Sequence, residues 1–539
     1  MKSNYYIIEE QLNSNDLNES RINNRLSLRK KNYNKIINNK RKLISEIDML
    51  FPQNSSEQSQ NNLNNNNLLK ILTNEQILNI INKFNEKPEI NDLTELFQCL
   101  FSLDFSFDQN SLKTIDFIND NNIFIFLVNL LEKIVKLNNI DNNPQIIFKI
   151  LQILFKYSSK KENNKNLSNC INNKIYIFNN LFSYIHNNQT IIKKTDILLY
   201  SIIILYNLSL ESPFLLNIIK KNKIQEQVLS IINDKKINLN INDRNIYFVI
   251  NFLSLELLEK NVINLEENYI QNIFNLLNNK GITSSSAKVQ DLSIYCLCNI
   301  TSLYESENFY KKIVYSGIFN NIYQYIKKSE NINSIIVSLK IVNNILTEKN
   351  VDLNTFIKSD LLSGLMQLII NYERNKANIS GDLLYHVINI FRYLVKSPLF
   401  YSIIDNNRKF MINIIYLIGK ISNNVTLEIL SFIKNVINES FTISQLLILN
   451  NTELMSNLIS IVRDTYNNDK IRTMALVILG KIIDYNNENI DNENLEKSKI
   501  KALEIQLKEL IELNLLNHSN INETLKKAFK EILNMINEE

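Results

Sequence analysis

From about Leu68 onward, apolar residues recur in helical register, in runs of roughly 10–18 residues closed by short polar breaks. EQILNIINKFN (75–85) and SIIVSLKIVNNILT (334–347) are examples. The i, i+3, i+4 recurrence predicts amphipathic helices, and the strict alternation of a half-buried strand is scarce. The first part of the chain reads differently. Residues 1–20 are a polar tail. Residues 21–44, RINNRLSLRKKNYNKIINNKRKLI, carry basic groups and no acid. Residues 45–70 form a linker whose centre, PQNSSEQSQNNLNNNN, is low-complexity and polar. Residues 71–539 are one helical body, too long for a single compact bundle core.

A body of that length calls for a search for repeats. Asn207, Asn251, Asn299, Asn344, Asn389 and Asn435 each lie within an apolar helical run, and subtraction gives spacings of 44, 48, 45, 45 and 46. About one residue in six is Asn, so a regular series of this residue alone is weak evidence. The neighbours strengthen it. Tyr247, Tyr295 and Tyr385 each stand four residues before their Asn, which puts ring and amide on one helix face. A period near 45 fits armadillo or HEAT repeats.

Composition narrows the alternatives. Six Gly and five Pro in 539 residues disfavour turn-rich β folds and glycine-dependent phosphate loops. Hydrophobic residues make up 45%, enough for an extensive core, and a net charge of +4 excludes a uniformly basic nucleic-acid binder. Four Cys (Cys99, Cys170, Cys296, Cys298) are too few for a disulfide scaffold. The three His (His186, His386, His518) are far apart and have no Cys at ligand spacing, so neither a metal site nor a catalytic constellation is expected, and no cofactor. The longest apolar run, Ile197 to Tyr206, is well short of the ~20 residues a spanning helix needs.

The ordered set of features resembles the importin-α family, armadillo adaptors for nuclear import. RINNRLSLRK followed by KRK resembles its importin-β-binding segment, DLSIYCLCNITSLYESENFYKKIVYSGIFNNIYQYI its fifth repeat and continuation, and LNHSNINETLKKAFKEIL its last repeat. The resemblance implies an all-α, right-handed superhelical armadillo solenoid of about ten repeats, preceded by a flexible basic arm. It implies carrier binding by Arg21, Arg25, Arg29, Lys30, Lys31, Lys40, Arg41 and Lys42, cargo carrying basic localisation signals, and an export receptor at the C-terminal repeat. It further implies residence in cytoplasm and nucleus, with neither nucleic acid nor membrane as a partner.

In that family a Trp-x-x-x-Asn pair on each third helix reads the signal, the amide holding the peptide backbone and the ring flanking cationic stems. Carried over, the signal-binding set is Asn207, Glu211, Tyr247, Asn251, Tyr295, Asn299, Lys340, Asn344, Asp382, Tyr385, Asn389, Glu428 and Asn435. The logic is physical: an amide offers donor and acceptor together, an aromatic face attracts a cation, and a carboxylate fixes it. The sequence departs from the family at each ring. Tyr replaces Trp at three rungs, Ile203 and Ser431 stand at two others, and Leu151 and Phe155 take the Trp and Asn positions near LQILFKYSS. Lys340, where the family has Arg, keeps to its pattern and interrupts the aromatic row with a cation. Two functions follow: an import adaptor, or an armadillo interaction scaffold that has lost signal binding. In the second, the amides tie helix to helix, the Tyr rings pack the core and the acids are solvated.

Overall fold

The computed structural model describes residues 72–537 apart from 87–92, 110–116, 137–143, 160, 188–193, 235–241, 258–264, 349, 373–378, 440–451, 465–466, 489–493 and 518–521. The basic arm at 21–44 lies outside the described residues. Every regular segment described is helical, and no strand occurs among the described residues.

The helices come in sets. A short helix is followed by a medium one and then a long one, as in Glu307–Val314, Ile318–Lys328 and Ile332–Leu346. The long third helices form a series of ten: α1 (Leu93–Gln109), α2 (Pro144–Ser158), α3 (Lys194–Glu211), α4 (Asp243–Leu257), α5 (Ala287–Leu303), α6 (Ile332–Leu346), α7 (Gly381–Leu394), α8 (Asn423–Glu439), α9 (Asp469–Glu488) and α10 (Glu523–Asn537). Triplets of this kind at a period near 45 make the body an armadillo-type helical solenoid.

Local sequence explains the breaks. Ser212, Ser306, Asn331, Asp352 and Ser380 are N-caps whose side chains accept from backbone N–H groups of the first turn. Pro213 and Pro398 open first helices, where a missing N–H costs nothing. The turn into the second helix passes through a left-handed residue at the same place in three repeats: Asn122, Lys223 and Gly317.

Two compact units divide the body, the boundary falling between Cys296 and Leu297 inside α5. In the N-terminal unit α1 packs on α2, α2 on α3 and α3 on α4, while the second helices Ile123–Lys136, Tyr176–Asn187 and Ile224–Asn233 pack in a parallel series. In the C-terminal unit α6 to α10 pack consecutively, and the second helices Ile318–Lys328, Asp360–Ile370, Arg408–Leu417 and Thr452–Arg463 do the same. Each unit is thus two layers with the Ile, Leu and Phe core between them. Polar ties recur at nearly one period. Lys223 reaches Glu266, Asn350 reaches Glu307 and Ser397 reaches Asn354, each pair 43 residues apart.

Candidate peptide-binding face

The third-helix layer carries the residues the repeat pattern singles out. In the N-terminal unit this face is largely closed. Every residue of α3 from Tyr200 to Ser209 is buried, as expected of a helix apolar on all sides. Asn207 is 2% exposed and donates from Nδ2 to Ser158 Oγ at the end of α2, at 3.3 Å. Its carbonyl accepts from Asn164 Nδ2 at 3.5 Å. Ile203 is buried, and Glu211 is exposed at the helix end. Asn251 is buried in α4 and donates back to the Tyr247 carbonyl one turn earlier, at 2.8 Å. The half-buried Tyr247 ring lies edge-on to Phe248, and Tyr295 is buried. Leu151 and Phe155 belong to the core. The rings of Phe148 and Phe155 stand 5.5 and 5.3 Å from that of Tyr200, so Phe155, at the Asn position of its repeat, joins an aromatic cluster in place of an amide.

The C-terminal unit is more open. Asn344 is half-buried, and its Nδ2 donates to Thr301 Oγ1 on α5 at 3.2 Å. Asn343 faces the other way, donating to the His386 carbonyl on α7 at 3.2 Å. Burial, then the nearby Lys340 charge, pushes His386 down to about 3, so its ring is neutral at physiological pH. Lys340 and Tyr385 are half-buried, Asp382 is exposed in the first turn of α7, and Asn435 is half-buried in α8. Asn299, by contrast, is buried at 9% exposed and does not offer the open amide expected of it.

One group absent from the repeat reading organises this face. Asn389 is 3% exposed, and its Oδ1 accepts from Arg392 Nη2 at 3.0 Å. Arg392 Nε stands 3.3 Å from Glu428 Oε2 on α8, with the two side chains 12% and 10% exposed. Burial works against the Arg392 charge, but Glu428, then Tyr393 and Tyr385, outweigh it and raise its pKa. Arg392 follows Asn389 by one turn on the same face, a spacing that was there to be read.

This geometry differs from the expectation for three further amides. Those of Asn207, Asn251 and Asn389 are buried and engaged within the protein, so they do not present a row of open groups for a peptide backbone. Asn207 reaches the end of the neighbouring third helix, whereas Asn251 and Asn389 are engaged within their own helices, by the preceding and the following turn. Glu428, expected to meet an incoming cation, meets Arg392. Burial pushes the Cys296 and Cys298 thiols up to about 12, leaving them protonated. Among the described residues, no three or more His, Cys, Asp or Glu side chains gather as a metal site would require. No described helix is long and apolar enough to cross a membrane.

No family model matches the chain, and no curated protein does. Solved structures do. The crystal structure of an engineered protein aligns at 13% identity over 86% of this chain and 99% of its own, with a TM-score of 0.49. A designed armadillo-repeat protein aligns at 15% identity over 49% of this chain and 99% of its own, TM-score 0.38. Another designed armadillo-repeat protein, solved in complex with the peptide (KR)4, aligns at 15% identity with the same coverage and a TM-score of 0.39. At these distances the likeness adds nothing to what the helix triplets already define.

Proposed function

We propose that the protein is an armadillo adaptor for nuclear protein import, moving between cytoplasm and nucleus. Its basic arm engages an importin-β-type carrier and its repeats hold cargo with basic localisation signals. The supporting observation is the order of parts: a 24-residue basic segment without an acid, a polar linker and then an armadillo body. Nine cations in that segment suit an acidic concave partner. On this reading the protein acts by binding and not by catalysis.

The test is a pulldown of the full chain with an importin-β-type carrier, against a chain lacking 21–44 and one with Lys40, Arg41 and Lys42 changed to Ala. Binding should vanish in the deletion, weaken in the triple variant and lose part of its salt dependence there. Unchanged binding by the deletion would remove the adaptor reading. A second reading, an armadillo interaction scaffold without signal binding, is favoured by the burial of Asn207, Asn251 and Asn389. It predicts no carrier binding and no preference for basic peptides.

A further inference from the structure

The importin-α resemblance assigns the Glu428 carboxylate to an incoming cargo cation and the Asn389 amide to the peptide backbone beside it. Both already hold a cation of the chain itself. Arg392 donates from Nη2 to Asn389 Oδ1 at 3.0 Å, and its Nε lies 3.3 Å from Glu428 Oε2. Its guanidinium carbon stands 5.3 Å from the centroid of the Tyr393 ring. Amide oxygen, carboxylate and aromatic face are the three kinds of group that a peptide arginine would use.

We propose that Arg392 is a built-in occupant of the cation subsite between α7 and α8, so that this rung excludes basic side chains while Arg392 is in place. The inference rests on the third-helix face being peptide-binding, and it names what that face refuses. The physical reason is twofold. A second cation at the site would share one carboxylate with Arg392, and like charges in a poorly hydrated setting repel. Displacing Arg392 would instead pull apart an ion pair whose side chains are only 12% and 10% exposed, stranding charge in a dry place. Lys340, on α6 one repeat earlier, puts another cation on the same layer. Basic cargo therefore finds no acceptor at this rung, and the specificity of this half of the molecule is set by a side chain it already owns.

A tie between α7 and α8 with no bearing on ligands would have the same geometry, so the test needs a gain that such a tie cannot give. The full chain is titrated with a fluorescent peptide of alternating Lys and Arg and with a Gln-substituted control. The wild type should prefer the basic peptide only as far as its other rungs provide, and Glu428→Gln alone should leave that preference unchanged. Arg392→Ala should raise affinity for the basic peptide about tenfold, one freed charge-assisted contact. Arg392→Ala combined with Glu428→Gln should abolish the gain. Arg392→Gln, which keeps a donor for Asn389, serves if the Ala variant fails to fold, with folding checked by circular dichroism. The proposal is overturned if the folded variants bind the basic peptide no better than wild type, or if Glu428→Gln weakens wild-type binding. Carrier binding through residues 21–44 is measured in parallel; its loss would count against the adaptor reading and leave this inference standing.

Discussion

Arg472 in α9 is the side chain whose removal should cost the C-terminal repeats most. It is 2% exposed. Nε and Nη2 both donate to the Val462 carbonyl, at 3.2 and 3.1 Å, and Nη2 also donates to Asn514 Oδ1 at 2.6 Å. Nη1 lies 3.5 Å from Asp469 Oδ1. Val462 belongs to the last turn of Thr452–Arg463, whose carbonyls have no partner within their own helix. One guanidinium thus joins that helix, α9 and the helix Asn494–Asn517. Arg472→Met keeps most of the volume and removes every donor. Two buried acceptors are then left without Arg472, at about 1–3 kcal/mol each. The loss is partly offset because a buried cation no longer has to be desolvated, and a net cost of about 3 kcal/mol is expected. In a repeat array such a loss falls locally, since each repeat holds only its neighbours. The assay is denaturant unfolding of the full chain with hydrogen exchange read by segment. Protection should drop across 494–537 and persist in α6 and α7. A variant within about 0.5 kcal/mol of wild type, with unchanged exchange over 494–537, would refute the reasoning, because that is the range of an ordinary surface change.

Two further outcomes can be checked directly. An ideal Cβ at Gly281 would lie 2.1 Å from Ser293 Oγ and 2.7 Å from Ser293 Cβ, so Gly281→Ala should destabilise by about 1–3 kcal/mol in thermal melts. Gly381→Ala, whose Cβ meets only Ser422 Oγ at 3.7 Å, should be near neutral and is the control. Burial works against the Glu132 charge, but hydrogen bonds from Lys136, Lys174 and Tyr176 outweigh it and hold the carboxyl down at about 2. Its folded value lies below its unfolded one, so its contribution is present above about pH 4.3 and fades as the pH falls towards 2. Glu132→Gln should flatten the acid limb of stability in that window; an unchanged limb would show that Glu132 does not shape it.

The fold was legible because its signal is repeated. A helical period of apolar positions and an Asn series near 45 residues survive many individual substitutions, and each marked Asn does fall in a third helix. The site was less legible, for reasons that particular residues make plain. Asn343 and Asn344 are adjacent, yet one reaches forward to His386 and the other back to Thr301. A step of one residue turns about 100° around a helix, so identical side chains at neighbouring positions serve opposite neighbours. The sequence marks Asn344 by its register and cannot mark the direction of its amide. Arg392 presents a related difficulty. Its partner Glu428 is 36 residues further on, and only the packing of α7 against α8 brings them together. Read alone, each is an ordinary charged residue on a helix.

The Asn row itself has a use in the solenoid that needs no ligand. A helix leaves its last carbonyls without intrahelical partners, and stacking repeats buries some of those ends. An amide on a short stem can donate across to them and still accept a bond. The second helices do this twice: Asn413 donates to the Ile370 carbonyl at 3.2 Å and Asn457 to the Ile415 carbonyl at 3.3 Å, in each case at the end of the preceding repeat's helix. Asn207 makes a related reach in the third-helix layer, donating to the Ser158 hydroxyl at the end of α2. A recurring Asn can therefore serve stacking alone, as Asn207 does, and periodicity by itself is no evidence of peptide binding. What would mark a ligand-reading amide is its surroundings: an amide that faces solvent, beside a ring and an acid that the chain has not already filled. Asn344 and Asn435 come nearest to that by exposure, whereas at Asn389 the chain's own Arg392 has taken both the amide and the acid. The difference between a structural rung and a recognition rung is thus one of occupancy, and in the α6 to α8 layer the occupant can be named.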